Sequence, residues 1–139
     1  MPDVVETRAA LRGRSDDEIL AWIASVGGTR AFIAEAFGGM REAFLADRAA
    51  GQSAVIEWDI RTPDQGVVRY CFVVEDGACR VEEGGSDASA VTLGMSMANF
   101  LRLLVGILDT RQAVEVGTLE VDGDRVLAGT IREWFRDSN

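Results

Sequence analysis

Apolar and polar positions follow two different rhythms along this chain, and the change between them outlines the fold. Residues 1–14 mix charge and small side chains without a period, which predicts a flexible N-terminal arm or a short, weak helix. Ser15-Asp16-Asp17-Glu18 then places a hydroxyl at a helix start and a carboxylate three residues on, the pattern of a capping box. Ile19, Trp22, Ile23 and Val26 follow at helical spacing until Gly27-Gly28 supplies a stop. Thr29 is positioned to cap a second helix with a stripe of Phe32, Ile33, Ala36 and Phe37. Gly38-Gly39 predicts a kink or break there, and the stripe resumes at Met40, Phe44 and Leu45.

From Ser53 the period becomes two. Ile56, Trp58 and Ile60 alternate with Glu57, Asp59 and Arg61, as in a strand with one wet face. Pro63-Asp64-Gln65-Gly66 is a turn, and a second strand runs from Val67 to Glu75. Asp76-Gly77 is a two-residue hairpin signal leading into Cys79 to Glu83. That turn sets a register in which Val74 opposes Cys79, Phe72 opposes Val81 and Tyr70 opposes Glu83 on one face. Cys71 then points to the other face from Cys79, so the two thiols read as structural rather than bridged.

After a loop over 84–89, Val91, Leu93 and Met95 form a strand, and Ser96 caps a helix whose inner face is Phe100, Leu101, Leu104, Val105 and Leu108. A short helical turn from Thr110 to Val114 precedes a strand carrying Leu119 and Val121, closed by Gly123. Asp124 caps a last helix with Leu127, Ile131, Trp134 and Phe135 inside. This order predicts an α+β fold: a single twisted, mostly antiparallel sheet of five strands with about five helices on one face. Residues 15–139 are expected to form one domain.

Composition narrows the chemistry. The chain of 139 residues has 14 basic and 23 acidic side chains, a net charge of −9, and no histidine. Every basic residue is arginine. Those absences remove the histidine general base, the imidazole metal ligand and the lysine nucleophile. Two cysteines on opposite faces and scattered loop acids make no metal set, so neither a metal nor any other cofactor is expected. The acidity disfavours nucleic acid and anionic membrane surfaces as partners. No apolar stretch reaches the roughly 20 residues of a spanning helix, so stable membrane insertion is not expected either, and a cytoplasmic protein is the default. One polar pair stands out: Tyr70 opposite Glu83, at the rim of an apolar hairpin face, are candidates for acid and base, or else lie past the edge of the core, hydrogen-bonded to each other or to water.

A series of segments in order then resembles a known family. Val55-Ile56-Glu57-Trp58-Asp59-Ile60 and Val73-Val74-Glu75-Asp76-Gly77 are followed by Ala90-Val91-Thr92-Leu93-Gly94-Met95-Ser96, Asn99-Phe100-Leu101, Leu104-Val105-Gly106 and Leu119-Glu120-Val121-Asp122-Gly123-Asp124. From about Met40 to Phe135 this set resembles the sterol carrier protein family, the type-two non-specific lipid-transfer domain. The resemblance implies a hydrophobic tunnel between sheet and helices that takes fatty acids, sterols or similar lipids. Its wall would be Ile56, Trp58, Phe72, Val91, Leu93 and Met95 from the sheet, with Phe100, Leu101 and Leu104 above. Leu127, Ile131, Trp134 and Phe135 would cap one end, and Phe37, Met40 and Phe44 would cover the rest. Val114-Glu115-Val116-Gly117-Thr118 departs from the family pattern by losing an amide and a basic residue, which points away from a phosphate-bearing head group.

The expected partner is therefore a hydrophobic small molecule or lipid, bound and carried without covalent chemistry. The alternative is a biosynthetic isomerase or cyclase that uses the same chamber on a polyketide- or terpenoid-like substrate, with Tyr70 and Glu83 as its acid and base. An interior filled by its own side chains is the third reading.

Overall fold

The computed structural model describes residues 4–45, 47, 51–105, 107–130 and 134, with only the backbone for residues 4–7. Six helices and five strands follow one another along the described chain: α1 (Val4–Leu11), α2 (Asp16–Ser25), α3 (Thr29–Glu42), β1 (Ala54–Arg61), β2 (Val67–Glu75), β3 (Ala78–Glu83), β4 (Val91–Ser96), α4 (Met97–Leu104), α5 (Thr110–Val116), β5 (Glu120–Gly123) and α6 (Arg125–Thr130). The strands form one open sheet in the order β3-β2-β1-β4-β5. Only the central β1–β4 pair is parallel among the four described pairings.

The period-two reading carries over residue by residue. Tyr70 opposes Glu83, Phe72 opposes Val81 and Val74 opposes Cys79, as the turn signal requires. Asp76 and Gly77 have φ of 53° and 72°, the paired left-handed conformation that a tight hairpin needs. Both cysteines are free. One sheet face, built from Ile56, Trp58, Ile60, Val68, Tyr70, Phe72, Val74, Val91, Leu93 and Met95, joins the core with buried residues of the helices. The other carries charge, including the Arg61–Glu120 and Arg80–Glu82 ion pairs, each at 2.8 Å.

In four places the elements differ from the expected pattern or decide between its alternatives. Residues 4–11 form α1, the helical one of the two readings for this segment, and the described helices number six. Leu11 is buried, and Arg8 Nε donates to the Val105 carbonyl at 2.6 Å. A helix too weak to stand on its periodicity is held by long-range partners, which sequence spacing does not reveal. Second, α3 runs through Gly38-Gly39 without a break. Glycine in a helix costs about 1 kcal/mol relative to alanine but does not forbid it, and buried Ile33, Ala36 and Phe37 hold the helix against the core. Third, Thr29 is the first helical residue and makes no cap; Gly28 occupies the N-cap with no side chain to accept a hydrogen bond. Gly27 and Gly28 have φ of 127° and 92°, so the pair turns the chain by 89° between α2 and α3 rather than merely ending α2. Fourth, β5 begins at Glu120, after the buried Leu119.

Apart from Thr29, the expected caps that rest on polar side chains are present. Ser15 and Glu18 exchange both capping-box bonds, Ser96 accepts from Asn99 N at 3.2 Å, and Asp124 accepts from Leu127 N at 3.0 Å. Asp109 caps α5 by accepting from Gln112 N at 3.1 Å.

Candidate ligand-binding site

The inner face of the sheet meets α3 and α4 in an aromatic cluster centred on Phe37. Its ring stacks on Tyr70 with centroids 4.5 Å apart and planes 8° from parallel, and on Phe100 at 5.4 Å. Trp58 and Phe72 meet it edge to face at 5.9 and 5.5 Å. Helical spacing places Phe37 on the same face as Phe32, Ile33 and Ala36, and strand alternation places Trp58, Tyr70 and Phe72 opposite it. The structure thus gathers Phe37, Ile56, Trp58, Phe72, Val91, Leu93, Met95, Phe100 and Leu101 into one buried cluster, with Trp134 in it as well. Met40, Phe44, Leu104 and Leu127 pack against that cluster at its margin, partly exposed. Ile131 and Phe135 lie outside the described residues. Leu45 N donates to the Trp134 carbonyl, tying the end of α3 to the C-terminal segment.

Two clefts open on the surface. One of about 420 Å³ is lined by Leu11, Arg12, Gly13, Arg14, Arg102 and Ile107. The other, of about 290 Å³, lies by Ser53, Ala54, Val55 and Ala90 and the end of β2. Neither is lined by a residue of the expected lipid wall. In this conformation the Phe37 ring occupies the middle of that wall.

Tyr70 and Glu83 are opposed, as expected, but their environments differ. Tyr70 is buried under Phe37, whereas the Glu83 side chain is exposed and accepts from Arg30 Nη2 at 3.2 Å. Burial and, next, the Glu83 charge push the Tyr70 phenol above its ordinary value. A phenol so placed stays protonated near neutral pH and acts as a hydrogen-bond donor, not as a base. Arg30 has no signal in the hydrophobic pattern; it lies far from Glu83 in sequence and meets it because α3 packs along β3.

Sequence reasoning also passed over a polar cluster on the outer face. Glu57 Oε1 accepts from Ser86 N at 2.8 Å, and Asp59 sits two residues along β1 with Arg69 Nε 3.5 Å from its Oδ1. Burial, then the hydrogen bond and charge of Glu57, raise Asp59 to about 6. Burial opposes ionisation of Glu57 as well, but the Ser86 amide and further partners outweigh it and its value falls. The alternation signal reported these acids only as the wet side of a strand. Burial alone raises Cys79 to about 11, while burial and then nearby acids raise Cys71, so both thiols are poor nucleophiles near neutral pH. Among the described residues no three Cys, Asp or Glu side chains converge into a set able to hold a metal ion. No single described helix is long and apolar enough to cross a membrane.

The profile of the SCP-2 sterol transfer family matches residues 37–136, starting at the central ring of the cluster. The chain belongs to that family. No curated protein matches the chain in sequence. Among solved structures, sterol carrier protein 2 like 2 from Aedes aegypti superposes with a TM-score of 0.53 at 21% identity, over 73% of this chain and 97% of that one. The sterol carrier protein domain 2 of Helicoverpa armigera gives 0.55 at 18% identity, over 70% and 82%. A double mutant of the sec-alkyl sulfatase PisA1 gives 0.65 at 19% identity over 73% of this chain, but this chain spans only 16% of the sulfatase. The stereoselective inverting enzyme from Pseudomonas sp. gives 0.62 at 18% identity, over 70% and 15%. At these identities the likenesses establish the α+β fold of the SCP-2 family, in which helices cover one face of the mixed sheet.

Proposed function

We propose that this SCP-2 family member binds and carries a hydrophobic, lipid-like ligand between the inner face of its sheet and helices α3 and α4, without covalent chemistry. The observation that carries the reading is the position of Phe37. It is the hub of the wall that the family resemblance assigns to ligand, and it stands immediately before Gly38-Gly39 in α3. A Cβ added at Gly38 would meet nothing within 4 Å, and its φ lies outside the left-handed region. Neither packing nor backbone geometry therefore requires glycine there, and its remaining effect is to weaken the helix that holds the ring.

The energetics permit exchange of ring for ligand. Exposing a buried phenylalanine costs about 1.5–3 kcal/mol, whereas burying methylenes contributes about 0.8 kcal/mol each. A sixteen-carbon chain gains about 12 kcal/mol before entropy and desolvation costs, which leaves micromolar binding within reach after Phe37 is displaced. The wall expected from the sequence, from Ile56 and Trp58 to Leu104, together with Met40, Phe44, Leu127 and Trp134 at its ends, is the proposed lining. The net charge of −9 and the loss of polar residues over 114–118 favour an uncharged lipid over a phosphate-bearing one.

Native mass spectrometry and solvent extraction of the purified protein, followed by titration with fluorescent fatty-acid and sterol probes, test the proposal. Co-purifying lipid or saturable probe binding is the expected result. Absence of both overturns it.

A further inference from the structure

Two buried side-chain polar atoms lack a hydrogen-bond partner among the described residues, Asp59 Oδ1 and Trp58 Nε1. Asp59 has the Arg69 guanidinium nearby on the outer face. Trp58 has no such compensation. It is 4% exposed, and it lies in the middle of β1, the central strand, between Tyr70 of β2 and Leu93 of β4 on the inner face. Its ring neighbours are Phe37, Phe72 and Phe100, all edge to face with centroids 5.9–6.1 Å away. Aromatic faces offer an N–H only a weak contact, and leaving a buried donor without an acceptor is costly. A phenylalanine at this site would fill the same apolar wall without that cost.

We infer that the Trp58 indole N–H is a ligand-binding donor, and that the preferred ligand is an uncharged lipid whose ester or ketone carbonyl is buried in the core against Trp58. This rests on the lipid-binding reading above and deepens it by naming the ligand's polar group. The chemistry selects the class. The unmet group at Trp58 is a donor, and Tyr70 beside it already has a hydroxyl that can give as well as accept, so a carbonyl that only accepts meets the need without adding another donor. An alcohol brings an additional O–H into a wall whose other sheet residues are apolar. A carboxylate brings a charge, and among the described residues no arginine is buried in the core: Arg30 is exposed at the rim and engaged with Glu83. The carbonyl therefore enters deep, at the central strand, rather than resting at the protein surface.

Methyl laurate and tetradecane, an ester and an alkane of the same chain length, separate the donor's effect from burial. Each is titrated against a bound fluorescent fatty-acid probe in the wild type and in Trp58→Phe, with laurate as the charged control. The expected result is a preference for the ester over the alkane that shrinks by about two- to tenfold in the variant, the range of one net hydrogen bond. Laurate is expected to bind more weakly than its methyl ester. In wild-type protein labelled at the indole nitrogens, the resonance assigned through its proximity to the Phe37 and Phe72 rings should move downfield with methyl laurate and not with tetradecane; this readout does not depend on the variant's stability. Equal preferences in both proteins, tighter binding of laurate, or an unmoved indole proton with methyl laurate bound overturns the inference and leaves lipid binding standing. If the wild type binds neither compound nor the probe, the lipid-binding reading falls and this inference with it.

Discussion

Phe37 and Asp59 show how far a single residue's environment departs from its place in a pattern. Phe37 belongs to an ordinary helical stripe, yet its ring touches Trp58, Tyr70, Phe72 and Phe100 together. Phe37→Ala should cost about 3–5 kcal/mol of stability through the cavity it leaves, and the same cavity should raise affinity for a fluorescent fatty-acid probe. Thermal unfolding with and without the probe measures both; loss of stability with no gain in affinity would remove Phe37 from the exchange. Asp59 lies on a wet strand face by alternation but is raised to about 6 from 3.8, because it is half-buried beside the Glu57 carboxyl. Between those two values the folded state holds a proton that the unfolded state has released, so stability falls as pH rises through this window. Above it, the charged Asp59 destabilises the fold. Asp59→Asn should therefore raise stability at pH 7 by about 1–2 kcal/mol and flatten its decline between about pH 4 and 6. Glu57, with its value lowered, acts in the opposite sense and loses its contribution on acidification. Denaturant titrations at pH 4.5 and 7 distinguish the two groups.

At the scale of elements, signals that depend on local backbone chemistry transfer well, and those that depend on propensity do not. The Asp76-Gly77 turn gives the β2–β3 register because its left-handed pair admits few residues. The capping box of α2 survives because both partners are local. Ser15→Ala should lower stability by about 1 kcal/mol, read as a shift in the unfolding midpoint. Gly38-Gly39 misleads as a helix breaker because tertiary packing on either side overrides a small intrinsic cost. Gly38 is exposed and has room for a methyl group, so Gly38→Ala should stabilise α3 by about 0.5–1 kcal/mol. If α3 must yield for ligand to enter, the same substitution should slow probe uptake in stopped-flow measurements. Uptake at the wild-type rate in a stabilised variant would place the entry elsewhere.

For the whole molecule, the decisive contacts join parts remote in sequence. Arg8 on α1 bonds to the carbonyl of Val105, which follows α4, and Arg102 on α4 pairs with Asp16 at 2.6 Å and donates to the Arg14 carbonyl. Removing residues 1–14 deletes the buried Leu11 and the Arg8 bond, and should lower the melting temperature by several degrees. An unchanged melting temperature would return the segment to the role of a flexible arm. The acidic surface opposes phosphate-rich interfaces, and the parallel β1–β4 pairing closes the core by bringing Ile56, Trp58 and Ile60 beside Val91, Leu93 and Met95.

By itself the sequence determined the α+β class, the strands and their inner faces, the hairpin register, and the apolar core positions from Ile56 to Leu101. Alternation, turn chemistry and polar caps are local, so they can be read without the rest of the chain. Tertiary structure decided the path of α3 through two glycines, the docking of α1, the Arg30–Glu83 pair, the raised Asp59 and the central position of Phe37. Each of those depends on which distant surfaces meet. The Trp58 indole shows the boundary most plainly: alternation places it inside, but only the packed interior reveals a donor left without an acceptor.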